Sequence, residues 1–595
     1  FLGAIRMVKT GREHQIRENA NMANAYRSAK NSTIRAANNY LYQDPDNPEA
    51  EKEIVLPKGG FYNRTEDELI FYNVRNSINY SNTINNKHSI DVLVGQEVKF
   101  TNRKSANNTG YGYQYDQGGV PFIDYRILKQ TIEANFPYYG MGENFDRFAA
   151  FYATAGYSFD KKYNISLYGR YDGSNRFGKA ALNRWLPTWS ISGAWNIDKE
   201  KFAENIQWLD FARLRGSYGL SGDMGPAINA DVLLRNYITN RQWTADRESG
   251  IELASLANRE LTWEKQYSGN IGLEFGLLKG KLSFTIDRFL RKSFDLIDLI
   301  STSGIGGQYW KFANYANLKS NGWDIAVDAN LLKTNDWTWN AKLTFGYART
   351  KITNLSNLPI LFDLVQADGY NVVGYPVRSL FSIRYSGLDH NSGIPLFVNQ
   401  KGEISSDVYY QDNNTAYLKY EGPVDPPYNS SLGTTVSYKD FTLNVLVTSQ
   451  AGNKIRLAPV FNTSYSDWNA LPVDFIDRWV QGGEENTTAV PAILDRLYAN
   501  NLSGIYPYNT YNFSDQRVAK GDFIRLKSVS LNYRLPARWV SRAGFSNASV
   551  GLSAINPWLI YSDKKLKGQD PEFYNTGGVA QPIQKQVVLS VKLGL

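Results

Sequence analysis

The chain has 595 residues, with 65 Lys and Arg against 57 Asp and Glu, a net charge of +8 and no cysteine. Aromatic residues make up 14% of it, yet mean hydropathy is −0.43, and the lack of any run of about eighteen apolar residues excludes an α-helical membrane protein. Without cysteine there is no disulfide scaffold or thiolate metal site. Basic residues mixed with acidic ones, rather than gathered in blocks, read as solvated loops and not as a nucleic-acid surface.

No change of composition or Pro/Ser-rich linker divides the chain, which favours one large architecture. A membrane barrel fits this profile, because its wall alternates lipid-facing and water-facing residues and keeps hydropathy mild while every second side chain is apolar.

In chain order, Phe1 to Lys9 reads as the end of one strand. Ile70, Tyr72 and Val74 alternate before a turn at Asn82 to Lys87, and Ile90, Val92 and Val94 follow it. A second turn stands at Asp160 to Asn164, and a third at Leu277 to Gly280 lies between Ile271/Leu273/Phe275 and Leu282/Phe284/Ile286. The alternation is clearest at 321–350, where Trp323, Ile325, Val327, Ala329 and Leu331 oppose Asp324, Asp328 and Asn330. After the turn Lys333 to Asp336, Trp337, Trp339, Ala341, Leu343, Phe345 and Tyr347 alternate with Asn340, Lys342, Thr344 and Gly346. Val436 and Tyr438 pair across Lys439-Asp440 with Phe441, Leu443, Val445 and Val447, and the chain ends on Val587, Leu589, Val591, Leu593 and Leu595.

Period-two segments of about ten residues cross a bilayer as tilted strands. Bacterial barrels have short periplasmic turns and long outer loops, so the turns above are assigned to the periplasm. The long connectors at 101–145, 219–264, 293–320, 351–430, 451–521 and 556–584 are assigned to the outside, with Leu380 to Val398 an excursion within one of them. The expectation is an all-β, large antiparallel transmembrane barrel over residues 1–595, with about fifteen to sixteen wall strands in this chain.

The strand near Glu68 to Tyr80 descends in this scheme, so an ascending one precedes it. Unpaired strand edges are costly in lipid. The N-terminal side of the barrel is therefore expected to come from elsewhere, and a start at Phe1 without Met or export signal fits either processing beyond a signal peptide or part of a longer protein.

Aromatics crowd the outer connectors. Tyr113 and Tyr115, with Tyr111 and Tyr125, stand in one; Tyr309 and Trp310 in another; Tyr465, Trp468 and Tyr508, with Trp479, Tyr506 and Tyr511, in the longest. Flat rings beside Asn and Asp grip sugars or peptides by stacking and hydrogen bonding, and the same rings equally serve to pack long loops. Asp324, Asp328, Lys342, Glu274 and Asp287 fall on the water-facing side, as a conduction path, a plug contact or simply wetted wall.

Asp407, Asp412, Asn413 and Asn414 offer hard oxygens without EF-hand spacing, and His14, His88 and His390 are too scattered for a metal. Gly304, Gly306 and Gly307 lack the strand-to-helix setting of a phosphate loop. No catalytic grouping and no cofactor site stands out.

Several segments resemble the SusC/RagA-type TonB-dependent transporters of the Bacteroidetes outer membrane. They are Tyr171-Asp172-Gly173-Ser174-Asn175-Arg176-Phe177-Gly178, Trp185 to Trp195, Leu214 to Gly219, Leu261-Thr262-Trp263-Glu264-Lys265 and Asn321-Gly322-Trp323. Phe523 to Lys527, Tyr533 to Pro536, Asn556 and Asp570-Pro571-Glu572 follow in the same order.

The resemblance implies a barrel of about 22 strands, seated in outer-membrane lipid, that imports oligosaccharides or peptides. It further implies a SusD-like surface lipoprotein as lid and energising by TonB through an N-terminal plug, carried on a missing portion or a separate chain. An alternative is a non-transporting SusC-like structural subunit of a larger outer-membrane complex.

Overall fold

The computed structural model describes residues 1–594 apart from 28–37, 39, 120–123, 134–137, 178–180, 227–229, 241–246, 305–308, 357–358, 413, 461–472, 495–501, 503–504 and 574–583. The alternating segments form one antiparallel sheet of 16 strands in which spatial order follows chain order. They are β1 (Leu2–Ile16), β2 (Gly60–Ile84), β3 (His88–Tyr113), β4 (Tyr139–Phe159), β5 (Tyr163–Ser174), β6 (Trp185–Asn196), β7 (Leu209–Asp223) and β8 (Glu264–Leu277). There follow β9 (Leu282–Ser301), β10 (Trp310–Lys333), β11 (Trp337–Leu355), β12 (Tyr428–Tyr438), β13 (Phe441–Ala451), β14 (Phe523–Arg534), β15 (Asn547–Ser562) and β16 (Gln586–Gly594).

The short connections are hairpin turns whose central residues take positive φ, as at Asn85 and Asn86 (52° and 57°) and Asp160 and Lys161 (51° and 56°). Such turns match the right-handed twist of the flanking strands. Register then places like with like. Phe275, Phe284, Val327, Leu343, Leu432 and Val447 lie directly opposite one another across six strands. One residue along, Thr285, Ala326, Thr344, Ser431 and Thr448 form a parallel small and polar row on the other face. The first row is outward and apolar, and the second lines the interior.

Aromatic pairs mark the ends of the outward apolar band. Trp337 packs against Tyr438 at 4.4 Å and Phe441 stacks on Tyr533 at 4.3 Å beside the short turns. Tyr347 meets Tyr428 at 5.1 Å toward the opposite end. Girdles of this kind sit at the two membrane interfaces of outer-membrane barrels.

The strands run further outward than the alternation indicates. β3 has 26 residues and β10 has 24, against about ten needed to cross the bilayer. The connector read at 293–320 is mostly wall, with only residues 302–309 between β9 and β10. Its pattern is hidden by a bulge at Asp295, whose φ is 58° and where the register shifts. β1 and β16 each have one neighbour, and no pairing between them is present among the described residues.

Beyond the strand ends, the loops 356–427 and 452–522 fold together. Short strands Ser379–Ser382 and Lys419–Pro423 pair, as do Lys454–Arg456 and Val518–Lys520, and Pro395–Val398 lies between Tyr385–Leu388 and Ile404–Ser405. Leu361, Leu364, Ile383, Phe397 and Tyr511 make a closed core from both loops. Ile455, Ala519 and Leu566 bring in the loop after β15. The cap is thus a small globular body with its own interior.

Candidate functional site: the lumenal face and the outer cap

Every second residue of the wall points inward, and there the polar side chains converge. A cavity of about 620 Å³ lies against Thr285, Asp287, Asp324, Thr344, Asn429, Ser431, Gln450 and Glu572. A second of about 410 Å³ continues from Asp287 and Asp324 to Arg215, Ser217, Asn270, Ser192 and Asn164. Ion pairs are built into this face. Arg215 pairs with Glu274 at 2.9 Å and with Asp287 at 2.7 Å. Arg170 pairs with Glu97 at 3.0 Å and Asp172 at 2.6 Å, and Lys99 reaches Glu97 at 3.1 Å.

The inward polar residues singled out in the sequence divide accordingly. Glu274 and Asp287 are drawn together by Arg215, Lys342 reaches Asp328 at 3.5 Å, and Asp324 lines both cavities. Arg215 and Arg170 are the partners that sequence reading missed. Both sit at inward positions of alternating strands, a signal present but not distinctive.

The aromatic candidates fall into separate settings. Tyr113 stacks on Tyr62 at 4.8 Å and meets Tyr115 at 4.9 Å, and the Tyr115 hydroxyl donates to the Phe61 carbonyl at 2.9 Å. Tyr111 is on the other face, fully buried with Phe61 and Tyr40. Gly112, with φ of 65°, is the extra residue that separates them, since Gly60 pairs with Tyr113 and Phe61 with Tyr111. A bulge with glycine in the left-handed region reverses the parity of a strand.

Tyr309 and Trp310 are 68% and 58% exposed. Trp310 is two residues from Phe312, which packs against the Leu261 and Trp263 cluster at the inner side of the mouth. Tyr508 is 0% exposed, and its hydroxyl donates to the Ala492 carbonyl at 2.6 Å within the cap core. Tyr465 and Trp468 lie outside the described residues, as does Asn413 of the oxygen-rich loop. The structure therefore joins Tyr113 to Tyr115 and leaves Tyr508 as internal packing of the loop.

Several of the sequence motifs act as clamps at the outer mouth. Arg176 makes two hydrogen bonds to Asp146 on β4, at 2.7 and 2.9 Å. Phe177 packs on Trp263 at 4.8 Å, and the Trp263 indole donates to the Arg184 carbonyl at 3.1 Å. The Glu264 carboxylate accepts from the Ile297 amide at 2.8 Å. Arg525 on β14 is buried against Asp570 at 2.5 Å and Glu572 at 2.8 Å, which pins the last loop to the inner wall.

Buried cations hold the cap together. Arg456 donates to the carbonyls of Phe381 (2.6 Å), Ser514 (3.0 Å) and Asn512 (3.4 Å), and to the Ser382 hydroxyl at 3.1 Å. Burial pulls its pKa down to about 9, so it is charged at neutral pH. A planar guanidinium donating to several carbonyls at once ties the two loops to one another in the buried interior of the cap. Nearby, Asp474 receives Arg517 at 3.5 Å and Lys567 at 2.6 Å, which ties in the third loop.

Among the described residues no group of three His, Cys, Asp or Glu is placed to hold a metal. The site is a polar channel wall under a folded cap, with charged groups in fixed pairs and exposed rings at the rim. That arrangement suits passage and recognition of a polar solute.

No family model matches the chain. It is 24% identical to TonB-dependent receptor P26 of Formosa agariphila over 525 residues, covering 85% of this chain and 50% of that protein. It is also 24% identical to TonB-dependent receptor SusC of Bacteroides thetaiotaomicron over 535 residues, covering 85% of this chain and 48% of the relative. The structure of the RagAB peptide transporter superposes with a TM-score of 0.76 at 21% identity, over 99% of this chain and 59% of that one. The chain thus spans about half the length of the curated relatives it matches. The chain is an outer-membrane β-barrel, similar in sequence and fold to the SusC/RagA-type TonB-dependent transporters over the half of their length that it spans.

Proposed function

We propose that this chain forms the channel wall and outer cap of a TonB-dependent importer of oligosaccharides or peptides, working with a plug and a SusD-like surface lipoprotein. The observation that carries the reading is the inner face. Its cavities, about 620 and 410 Å³, are bounded by Ser, Thr, Asn and paired charges, while the outward rows are aliphatic. A barrel of this width is not filled by its own wall side chains and needs a plug to keep from leaking. The likeness to a peptide transporter and to SusC supports import as the activity of the assembled protein.

Cargo would be captured between the lipoprotein and the cap, with Tyr309 and Trp310 stacking on it at the rim and the Tyr62, Tyr113 and Tyr115 group as a second aromatic surface. The test is uptake of labelled peptides and labelled oligosaccharides by cells lacking the gene, with and without its restoration, in TonB-competent and TonB-deficient backgrounds. Uptake of one class that needs both the gene and TonB is the expected result. Equal uptake in all backgrounds would leave a structural subunit as the reading.

A further inference from the structure

On the outward face, β9, β10 and β11 are in direct register, and one row of that register consists of Lys292, Lys319 and Lys351. Directly opposed residues of antiparallel strands point to the same side. No bulge separates Lys292 from Ile286, Lys319 from Trp323 and Ile325, or Lys351 from Tyr347 and Phe345, so all three lysines share the lipid-facing side. Each is exposed, and none has a carboxylate or hydrogen-bond partner among the described residues. Arg349, one row nearer the membrane on the same face, is likewise exposed.

Like charges set directly across a strand pair destabilise it. Three cations in one row, with no acidic side chain among them, call for an anion from outside the chain. Their height identifies its source. At about 3.3 Å per residue and a tilt of about 40°, Tyr347 stands roughly 20 Å above Trp339 of the lower girdle. Lys351 then stands roughly 30 Å above it, just past an apolar band about 25 Å tall. The row therefore lies at headgroup level on the outer side, directly above Trp323 and Tyr347, with the Arg288 guanidinium 4.9 Å from the Trp323 ring.

We propose that Lys292, Lys319 and Lys351, extended by Arg349, bind the phosphate groups of a phosphorylated lipid of the outer leaflet. Its acyl chains would run down over Trp323, Tyr347 and the aliphatic rows beneath. The site lies on the opposite face from the lumen and does not depend on the identity of the cargo.

The experiment uses the full-length transporter, purified in mild detergent, stripped of lipid and offered phosphorylated lipid A, dephosphorylated lipid A or free pyrophosphate, with bound species read by native mass spectrometry. Phosphorylated lipid A is expected to be retained by the parent protein and by the variant Lys292→Arg/Lys319→Arg/Lys351→Arg. Retention should fall about a hundredfold in Lys292→Gln/Lys319→Gln/Lys351→Gln, given the attraction of basic side chains for anionic membrane surfaces. Heat-modifiable gel mobility establishes that each variant is a folded barrel. Equal retention by the Gln variant overturns the proposal, as does equal retention of the dephosphorylated lipid. Tight binding of pyrophosphate alone would make the row a site for a soluble anion. Loss of a co-purifying acidic protein, with lipid retention intact, would make it a protein contact, and either result also overturns the proposal.

Discussion

In the wall, Leu343 lies between Val327 and Leu432 on the neighbouring strands and faces outward, while in the cap Phe397 is fully buried in one apolar cluster with Leu364, Ile383 and Tyr511. The two regions use the same residue types. The wall is apolar on its outside and charged within; the cap reverses this, with an apolar interior and polar groups on its surface. Each follows from the solvent around it. Hydrocarbon outside the wall rewards aliphatic faces and forces every backbone group into the strand ladder. Water around the cap restores the ordinary hydrophobic core, so long irregular loops survive only where buried cations satisfy their carbonyls.

The largest effect is expected at Arg525. Replacing it by Ala removes the guanidinium from the buried carboxylate of Asp570, 2% exposed, and from Glu572, at a cost of roughly 3–5 kcal/mol for breaking one partner of a buried pair. Hydrogen exchange should show residues 563–573 losing protection while β15 keeps its own.

Arg456→Met should be next, costing about 2–4 kcal/mol in the cap by removing the guanidinium donor from the carbonyls of Phe381, Asn512 and Ser514. Limited proteolysis between 379 and 383 should accelerate, with the wall still resistant.

The wall is sharpened by a pair of changes one residue apart. Val445 stands in the outward row and Asn444 in the inward one, hydrogen-bonded to Thr435 at 2.8 Å. Val445→Arg should cost roughly 2–4 kcal/mol in urea titrations of the refolded barrel, and Asn444→Arg close to nothing, because only the first puts a charge into hydrocarbon. Similar costs at both positions would refute the assignment of faces.

The smallest effect is on the cap surface. His390 hydrogen-bonds Glu485 at 2.7 Å, which raises the imidazole above its ordinary 6.5 and holds the carboxyl at about 2. Because the folded-state pKa of His390 is the higher one, this contact stabilises fully below pH 6.5 and is lost as pH rises through the raised value. Protection of residues 479–486 should fall slightly on raising the pH through that range, and His390→Ala should abolish the change.

Much of this molecule is written locally. Period-two alternation, as in Trp337 to Tyr347, suffices to define a strand, its two faces and its aromatic ends, because each side chain is sorted by the solvent on its own side of the sheet. Short turns and long connectors then fix the direction of each strand. The polar inward residues Glu274, Asp287 and Asp324 were legible for the same reason. The sequence motifs were visible as a family resemblance, although nothing in them announced that Arg176, Trp263 and Arg525 act as clamps.

What the fold alone decided involves partners distant in sequence or a single shift in parity. Gly112 moved Tyr113 away from Tyr111, and a bulge at Asp295 hid the outer ends of β9 and β10. Tyr508 entered a core built from loops far apart in the chain, and Arg456 found carbonyls near 381 and 513. The row of Lys292, Lys319 and Lys351 exists only once register is set. Alternation is a property of consecutive residues, whereas register, bulges and loop packing depend on which segments become neighbours, and that is settled by the whole sheet.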